Sequence, residues 1–405
     1  MGAIVVVGAG QAGLQLVESL RKGGYDGALT LVGDERHPPY QRPPLSKKYL
    51  TGDFADERLY FRPREHYAKL DVALRLATRV EALDRAQSRV LLADRTALAY
   101  DGLALTTGAR VRPLPVPGGD LPGVCYLRGL DDAQRLQARL ATARRVVVIG
   151  GGFIGLEVAA TARAHDCEVH VVEAMERLMA RVMPPLVSDF FAELHRARGV
   201  QLHLATGVES IVDTSQGLTV HLAGGTVLAA DLVVAGIGVV PNQELAQAAG
   251  LACARGIVVD EFARSSDPRI VAAGDCTLHR NLRYAELHCL ESVQNAVDQA
   301  KVAAATLLGK PQAYADVPWF WSDQYEVKLQ MAGLSAGHDG CVLRGAPSPA
   351  GFSVFYFTAG RLVAVHSLNK PADHMLARRL LASEASVTPA QAADVSFDLK
   401  TLLAT

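Results

Sequence analysis

Two runs of residues, far apart in the chain, are apolar throughout and show no alternation of apolar and polar positions. Residues 3–7 read AIVVV and residues 146–149 read VVVI, and each run leads directly into a glycine-rich turn. Such β-branched runs are typical of strands buried on both faces of a parallel sheet. The segments after the turns, LQLVESLRKGG and LEVAATARAHDC, have helical apolar spacing, and the apolar runs ALTLVGDE and EVHVVE follow. The pattern predicts two strand–helix–strand units of one design.

Each turn between strand and helix contains three glycines at the same spacing. They are Gly8, Gly10 and Gly13 in the first unit and Gly150, Gly152 and Gly155 in the second. In the dinucleotide-binding fingerprint the first glycine permits the tight turn, the second lets the backbone approach a pyrophosphate, and the third lets the helix pack on the strand. One motif alone is a weak signal, since tight turns also use glycine. Two, each between a strand and a helix, predict two dinucleotide sites.

Acidic residues end the second strand of each unit. Asp34 and Glu35 compete for one role in the first unit, with Asp34 favoured, and Glu173 stands alone in the second. A carboxylate at this place accepts hydrogen bonds from a ribose and repels a 2′-phosphate, so Glu173 favours NADH over NADPH. Arg177 and Arg181 follow it, and they would either accommodate a phosphate or pair with a pyrophosphate or with solvent.

Two later segments share the design of an apolar strand that ends in small residues. They are ALTTGAR at residues 104–110 and RIVAAGDC at residues 269–276. Small residues let the backbone lie close to a ligand, and Asp275 would accept hydrogen bonds from flavin ribitol hydroxyls. The alternative is that Asp275 caps a helix, because helical spacing resumes downstream. From about residue 317, strand-like runs precede an amphipathic helix, which predicts a small α+β unit.

Composition and charge narrow the class of protein. The chain has 405 residues, 49% hydrophobic and 20% charged, and a formal net charge of −1. This predicts a globular protein of two to three domains and gives no reason to expect a nucleic-acid or membrane partner. The six cysteines show no CxxC spacing, which is typical of free thiols in a reducing cytoplasm, and no metal site is predicted. Two dinucleotide units indicate hydride transfer between a nicotinamide and a flavin.

These motifs, with RPPLSK at residues 42–47 and PWFWSDQ at residues 318–324, carry a resemblance that covers essentially the whole chain. The sequence resembles the FAD-dependent, NADH-using ferredoxin reductases of bacterial oxygenase systems, of the putidaredoxin reductase and biphenyl dioxygenase ferredoxin reductase types. The resemblance implies an α/β fold with two Rossmann-like, glutathione-reductase-like dinucleotide-binding domains and a C-terminal α+β domain. The implied domains are FAD-binding (1–112 and 241–316), NADH-binding (113–240) and C-terminal (317–405).

The same resemblance implies which residues contact the cofactors. For FAD they are Gly8, Gly10, Ala12, Gly13, Asp34 or Glu35, Arg42, Lys47, Val80, Thr107, Gly108, Arg128, Gly274, Asp275, Val293 and Trp321. For NADH they are Gly150, Gly152, Ile154, Gly155, Glu157, Glu173, Arg181, Gly236, Ile237 and Gly238.

Three of these residues are implied to act in catalysis. The resemblance places Lys47 and Glu157 as an ion pair beside the reactive edge of the flavin, where Lys47 would stabilise negative charge and Glu157 would position the nicotinamide amide. Without the resemblance, Lys47 would be interpreted as a solvated lysine, and Glu157 as a residue favoured by the helix dipole. Trp321 is implied to lie at the flavin face, whereas Trp319 is expected to pack in the core.

The loop around Lys47, YQRPPLSKKYL, has no cysteine. Disulfide reductases of the implied fold carry a CxxxxC pair after the first unit, so electrons are expected to leave singly to a protein. The implied partner is a [2Fe–2S] ferredoxin that serves a heme-thiolate monooxygenase or ring-hydroxylating dioxygenase, and the reductase is expected to be a monomer. A rubredoxin reductase, an NADH-oxidase-like flavoprotein and a redox sensor similar to apoptosis-inducing factor are the alternatives. Candidate basic docking residues are Arg62, Arg64, Lys370, Arg378 and Arg379.

Overall fold

The computed structural model of the protein describes residues 2–215, 217–284 and 286–403. The chain divides into two compact units, each assembled from three chain segments. The first unit comprises Met1–Gln41, Glu57–Arg110 and Val240–Pro318, and the second comprises Arg42–Asp56, Val111–Val239 and Trp319–Thr405. The predicted three-domain boundaries remain a prediction.

The first unit is built around a five-stranded parallel sheet. Its strands lie in the spatial order Ile270–Ala272, Gly102–Leu105, Ile4–Val7, Leu29–Val32 and Val72–Arg75. The predicted strand at residues 4–7 is central, and none of its side chains is more than 5% exposed. Burial on both faces explains why this strand reads as a continuous apolar run.

Two helices cover this sheet and share one apolar core, Gln11–Lys22 and Val293–Leu307. Leu16, Val17 and Leu20 of the first helix are fully buried, and such a side chain contributes about 1.5–3 kcal/mol to folding. The other elements of the unit are the antiparallel strands Val80–Asp84, Arg89–Leu92 and Ala97–Ala99, the strands Ile257–Val259, Thr277–Arg280 and Leu287–His288, and the helices Arg64–Lys69 and Glu244–Ala248.

The second unit contains a parallel sheet of the same construction. Its strands lie in the order Val200–His203, Glu168–Val172, Arg145–Ile149, Leu232–Ala235 and Val124–Cys125. Ile149 lies opposite Val172, just as Val7 lies opposite Val32 in the first unit, so the glycine turns begin at equivalent places. The helices of this part are Leu130–Leu140, Phe153–Ala164 and Pro185–Ala197, and the antiparallel strands are Val208–Thr214, Gly217–Leu222 and Val227–Ala230. The prediction of two strand–helix–strand units of one design is confirmed.

The C-terminal part of the second unit is an antiparallel sheet. Its strands lie in the order Trp319–Gln324, Val327–Gly333, Arg361–Leu368, Phe352–Thr358 and Gly340–Arg344. The helix Pro371–Ser383 packs on one face, where Ala377 and Leu380 join Ala332 and Val365 in an apolar cluster. Short elements complete the chain: Pro43–Ser46, Asp56–Arg58, Ala109–Val111, Val239–Pro241, Pro389–Ala393 and Leu399–Leu403.

The predicted fold class is confirmed: two parallel-sheet, Rossmann-like cores and a C-terminal α+β domain. None of the helices within the described ranges combines the length and apolar content that a membrane span needs.

Candidate functional site

The first glycine turn has two crowded positions and one open position. A Cβ atom at Gly8, where φ is +114°, would lie 2.1 Å from the Thr106 carbonyl oxygen, and one at Gly13 would lie 2.0 Å from the Gly8 carbonyl oxygen. A Cβ at Gly10 would meet nothing within 4 Å. Gly10 is the N-cap of the helix Gln11–Lys22, which has no side-chain cap and no acid in its first turn. Its N–H groups are therefore available to an anion such as a pyrophosphate.

The second turn repeats this geometry. A Cβ at Gly150, where φ is +106°, would lie 2.5 Å from the Gly236 carbonyl oxygen, and one at Gly155 would lie 2.1 Å from the Gly150 carbonyl oxygen, whereas Gly152 again faces open space. Gly152 caps the helix Phe153–Ala164 without a side-chain hydrogen bond. Ile154, in the first turn of this helix, is 45% exposed. An open cradle at an uncapped helix N-terminus fits a dinucleotide in both turns.

Glu173 is held in place by the second glycine turn. Its Oε2 accepts a hydrogen bond from the Gly151 N–H at 2.7 Å, and its Oε1 accepts one from the Met175 N–H at 2.8 Å. A carboxylate has about four acceptor positions, so each oxygen keeps capacity for a ribose hydroxyl. Arg177 donates to two carbonyl oxygens of its own loop and to Ser188 Oγ at 2.8 Å, so its guanidinium is held by this loop.

Relative to the strand before it, the acid of the first unit comes one residue later than Glu173 does in the second unit. The strand register makes Gly33 the counterpart of Glu173, and a Cβ at Gly33 would lie 2.5 Å from the Ala9 Cβ. The carboxylate is thereby displaced to Asp34, which is exposed. Glu35 accepts a hydrogen bond from the Tyr40 hydroxyl at 2.5 Å. Asp34 therefore stays the favoured acid for the ribose as a prediction, with Glu35 as the alternative.

Other predicted FAD contacts of the first unit lie near the carboxyl ends of its parallel strands. Gly274, with φ of +86°, comes two residues after the strand Ile270–Ala272, and a Cβ there would lie 3.3 Å from the Ala12 Cβ. Thr107 Oγ1 donates to the Asn242 carbonyl oxygen at 2.7 Å, and Gly108 has φ of +64°. Val80 begins a separate antiparallel strand but packs against the cluster that contains Val7.

The structure tests one of the two interpretations of Asp275, the helix cap. The downstream helix begins at Val293, and its cap is Ser292, whose Oγ accepts from the Asn295 N–H at 3.1 Å. Asp275 therefore does not cap this helix, and the alternative is wrong. Asp275 is partly exposed immediately after Gly274.

The remaining predicted NADH contacts surround the end of a neighbouring strand. The Gly236 N–H donates to the Ile149 carbonyl oxygen at 2.8 Å, which brings the Gly236–Ile237–Gly238 segment beside the second glycine turn. A Cβ at Gly238 would lie 3.3 Å from Arg181 Nη2. Arg181 thus lies beside Gly238, and its contact with the dinucleotide stays a prediction.

Lys47 and Glu157 form an ion pair, although 110 residues separate them in the chain. Lys47 Nζ lies 2.8 Å from Glu157 Oε2, and the Glu157 side chain is only 2% exposed. Two hydroxyls complete the site: Ser46 Oγ donates to Oε2 at 2.5 Å and Ser322 Oγ donates to Oε1 at 2.6 Å. A buried carboxylate needs such partners to remain charged. In the same unit, Arg42 Nη1 donates to the Arg128 carbonyl oxygen at 2.8 Å.

Ser46 and Ser322 are site residues that the sequence did not predict. Each is next to a predicted residue, Lys47 in RPPLSK and Trp321 in PWFWSDQ. A serine beside a predicted catalytic residue is a weak signal, because only the fold shows that both hydroxyls converge on one carboxylate.

Trp321 and Trp319 are neighbours on one face of the C-terminal sheet. Their ring centroids are 5.6 Å apart, and the Arg378 guanidinium lies 4.8 Å from the Trp319 ring. Trp319 is partly exposed, so the expectation that it packs in the core is wrong. Gln330 lies opposite Trp321, and its Oε1 is buried with no hydrogen-bond partner among the described residues. An unsatisfied acceptor beside an aromatic ring fits the edge of a polar, planar ligand.

The cysteines are free thiols in the described part of the chain, and none lies in the loop that carries Lys47. Across the described ranges, no three His, Cys, Asp or Glu side chains form a group able to hold a metal ion.

Residues 2–300 match the family described as "Pyridine nucleotide-disulphide oxidoreductase", and residues 319–403 match "Reductase C-terminal". The chain is 51% identical over 403 residues to rhodocoxin reductase of Rhodococcus erythropolis, covering 99% of this chain and 94% of that protein. The ferredoxin reductase for the CYP199A2 system of Rhodopseudomonas palustris superposes with a TM-score of 0.96 at 47% identity, covering 98% of this chain and 99% of that chain. A covalent putidaredoxin reductase–putidaredoxin complex matches with a TM-score of 0.96 at 42% identity, covering 99% and 98%.

Proposed function

Because the chain belongs to the pyridine nucleotide-disulphide oxidoreductase family and carries that family's reductase C-terminal domain, we propose that it is an NADH:ferredoxin oxidoreductase. It takes a hydride from NADH onto FAD and passes single electrons to a [2Fe–2S] ferredoxin that serves a heme-thiolate monooxygenase or a ring-hydroxylating dioxygenase. The observation that carries the proposal is the ion pair between Lys47, which lies in a loop without cysteine, and the buried Glu157. This loop therefore supplies a positioned charge and has no pair of thiols.

FAD, when bound, accepts two electrons as a hydride and releases them one at a time. The chain's own residues would hold and align it: the uncapped helix at Gly10 would take the pyrophosphate, and Asp34 a ribose. Lys47 would hold positive charge where negative charge develops, and Glu157 would orient the nicotinamide amide. The predicted domains, 1–112 with 241–316, 113–240 and 317–405, follow from the same proposal. The six scattered cysteines support a reducing, cytoplasmic location.

The proposal is tested by NADH-driven reduction of cytochrome c with a panel of [2Fe–2S] ferredoxins. The purified protein is expected to be yellow, with about one FAD per chain. Rapid turnover that depends on an added ferredoxin supports the reductase. Slow reduction with a long-lived nicotinamide–flavin complex would favour a redox sensor, preference for rubredoxin would favour that reductase class, and rapid consumption of oxygen would favour an oxidase.

Glu173 is expected to set the preference for NADH. Replacing Glu173 with alanine removes the charge that repels a 2′-phosphate, so the ratio of kcat/KM for NADH to that for NADPH should fall about tenfold, roughly 1.4 kcal/mol of discrimination. Glu176→Ala, at an exposed acid three residues away, is the matched control and should leave the ratio unchanged. Equal kcat/KM for both nucleotides in the unaltered protein would contradict the assignment.

Ferredoxin docking is expected to use Arg378 and Arg379. Arg378 lies over Trp319, which contacts Trp321, and Arg379 is exposed, whereas Arg62 is already paired with Glu18 at 2.9 Å. Exposed charges mainly accelerate encounter, and salt screens them. Charge reversal at both arginines should lower the ferredoxin-dependent rate several-fold and flatten its salt dependence, and ferricyanide reduction should be nearly unchanged. Lys310→Glu is the control, and a parallel loss of both activities would exclude a docking role.

A further inference from the structure

A chain of buried polar side chains extends from Glu157 to the helix Pro185–Ala197. Gln324 Nε2 lies 3.3 Å from Ser322 Oγ, which in turn lies 2.6 Å from Glu157 Oε1. Gln324 Oε1 lies 2.9 Å from His195 Nε2. Ser322, Gln324 and His195 each have no exposed surface. A fully buried polar row of this kind is costly unless every member is satisfied.

The chemistry of the groups fixes the direction of every hydrogen bond in this row. A carboxylate only accepts, so Ser322 must donate its single proton to Glu157. The Ser322 oxygen then accepts from the Gln324 amide N–H, which turns the Gln324 carbonyl oxygen toward His195. That oxygen accepts in turn from His195 Nε2–H. All of the donors therefore point toward Glu157.

At the end of the row away from Glu157, the neutral His195 ring carries its proton on Nε2. Burial lowers the pKa of His195 to about 4, so its ring is neutral at physiological pH. The Tyr325 hydroxyl lies 3.5 Å from Nδ1, and the Arg198 guanidinium lies 5.2 Å from the Tyr325 ring. With Nδ1 as acceptor and Nε2 as donor, His195 locks the orientation of the Gln324 amide.

We propose that Ser322, directed by Gln324 and His195, is a positioning residue that fixes the Glu157 carboxylate for the nicotinamide. This inference rests on the proposed function, in which Glu157 meets the nicotinamide amide. Glu157 Oε2 accepts from both Ser46 and Lys47, whereas Oε1 accepts only from Ser322 among the described residues. One acceptor position of Oε1 is thus left for a ligand N–H, and its direction is set by Ser322.

Strand alternation links this row to the other predicted catalytic residue. Successive side chains of Trp319–Gln324 point to opposite faces, so Ser322 and Gln324 face Glu157 and His195 while Trp321 faces the other way. Phe320, on the Ser322 face, contacts the Phe153 ring at 4.8 Å beside the second glycine turn. One strand therefore carries a residue predicted to touch the flavin and a residue that orients the predicted nicotinamide ligand.

The test compares Ser322→Ala with a matched control, Ser353→Ala. Ser353 is equally buried in the same sheet and donates to a different carboxylate, Asp373, at 2.8 Å. In Ser322→Ala, the rate constant of flavin reduction at saturating NADH should fall about tenfold, ~1.4 kcal/mol in the barrier. The dissociation constant for NAD⁺, measured by fluorescence titration without turnover, should rise about threefold. Ser353→Ala should change neither quantity, and both variants should keep about one FAD per chain.

Two further variants test the direction of the row. Ser322→Thr keeps the hydroxyl and should restore the rate to within about threefold of the unaltered protein. Gln324→Glu keeps the shape and the acceptor for His195 but removes the N–H, so Ser322 must share one proton between two carboxylates. Its flavin reduction rate should lie between those of the unaltered protein and Ser322→Ala.

Failure of the positioning role and failure of the proposed function give different results. If Ser322→Ala matches Ser353→Ala in both rate and NAD⁺ affinity while the unaltered protein is reduced by NADH, the positioning role is wrong and the proposed function stands. If the unaltered protein is not reduced by NADH, the proposed function fails and the inference fails with it.

Discussion

A Gly10→Ala variant should fold normally but be isolated without FAD. Gly10 has φ of −97° and ψ of −160°, which alanine adopts without strain, and a Cβ there would meet nothing within 4 Å. The protein alone therefore tolerates the methyl group. The same methyl would occupy the space in front of the uncapped helix, where the pyrophosphate has to approach the backbone. We expect FAD affinity to fall at least about 100-fold, roughly 2.8 kcal/mol, as measured by flavin absorbance after gel filtration.

Two other glycines make this experiment specific. Gly152→Ala places a methyl in the equivalent space of the second turn, so it should keep FAD but raise the KM for NADH at least about tenfold. Gly207→Ala, at a position that is equally open but belongs to neither turn, should behave like the unaltered protein. A Gly10→Ala protein that retains FAD with undiminished affinity would show that the first turn does not hold the pyrophosphate.

The glycine turns were predictable because their signal is local. A buried parallel strand must be apolar throughout, and Val146, Val147 and Val148 are all fully buried. The backbone at Gly8 and Gly150 requires positive φ, so glycine marks the turn in the sequence itself. Strand, turn and helix thus lie within one stretch of about thirty residues and can be read together.

The two hydroxyl partners of Glu157 were not predictable from the sequence, because they come from two distant chain segments. Ser46 is 111 residues away and Ser322 is 165 residues away, and neither distance leaves a periodic trace. The residue of the first unit that corresponds to Glu173 is Gly33, not Asp34. The number of residues after each glycine motif does not show this, because the two helix-to-strand connections differ in length. Only the strand register, and the crowding of a Cβ at Gly33 by Ala9, explains the displacement.

Four buried histidines are expected to make the protein sensitive to mild acid. His195, His279, His366 and His374 are each at most 2% exposed. Burial is the main cause that lowers their pKa values, to about 4 for His195, His279 and His374 and to about 3 for His366. Each ring is therefore neutral in the folded protein at a pH where an unfolded chain would bind a proton.

The sign of the effect follows from proton linkage. Above about pH 6.5 both states have neutral rings, so these groups contribute no pH dependence. As the pH falls from about 6.5 toward 4, the unfolded chain gains up to four protons that the folded protein does not bind. Each group then favours unfolding by up to about 3 kcal/mol at pH 4. Since a folded protein is stable by only about 5–15 kcal/mol, the four together should unfold the chain between about pH 6 and pH 4.

His366 provides the sharpest test of this acid sensitivity. Its Nδ1 is buried with no partner among the described residues, and its ring lies 4.5 Å from that of Tyr356, so phenylalanine should fit the same place. In His366→Phe, the fall of the urea midpoint with pH between about pH 6 and pH 4.5 should be shallower by roughly one proton, and stability at pH 8 should change much less. An unchanged slope in His366→Phe would show that His366 takes up a proton in the folded protein as readily as in the unfolded chain, and the acid sensitivity would then need another origin.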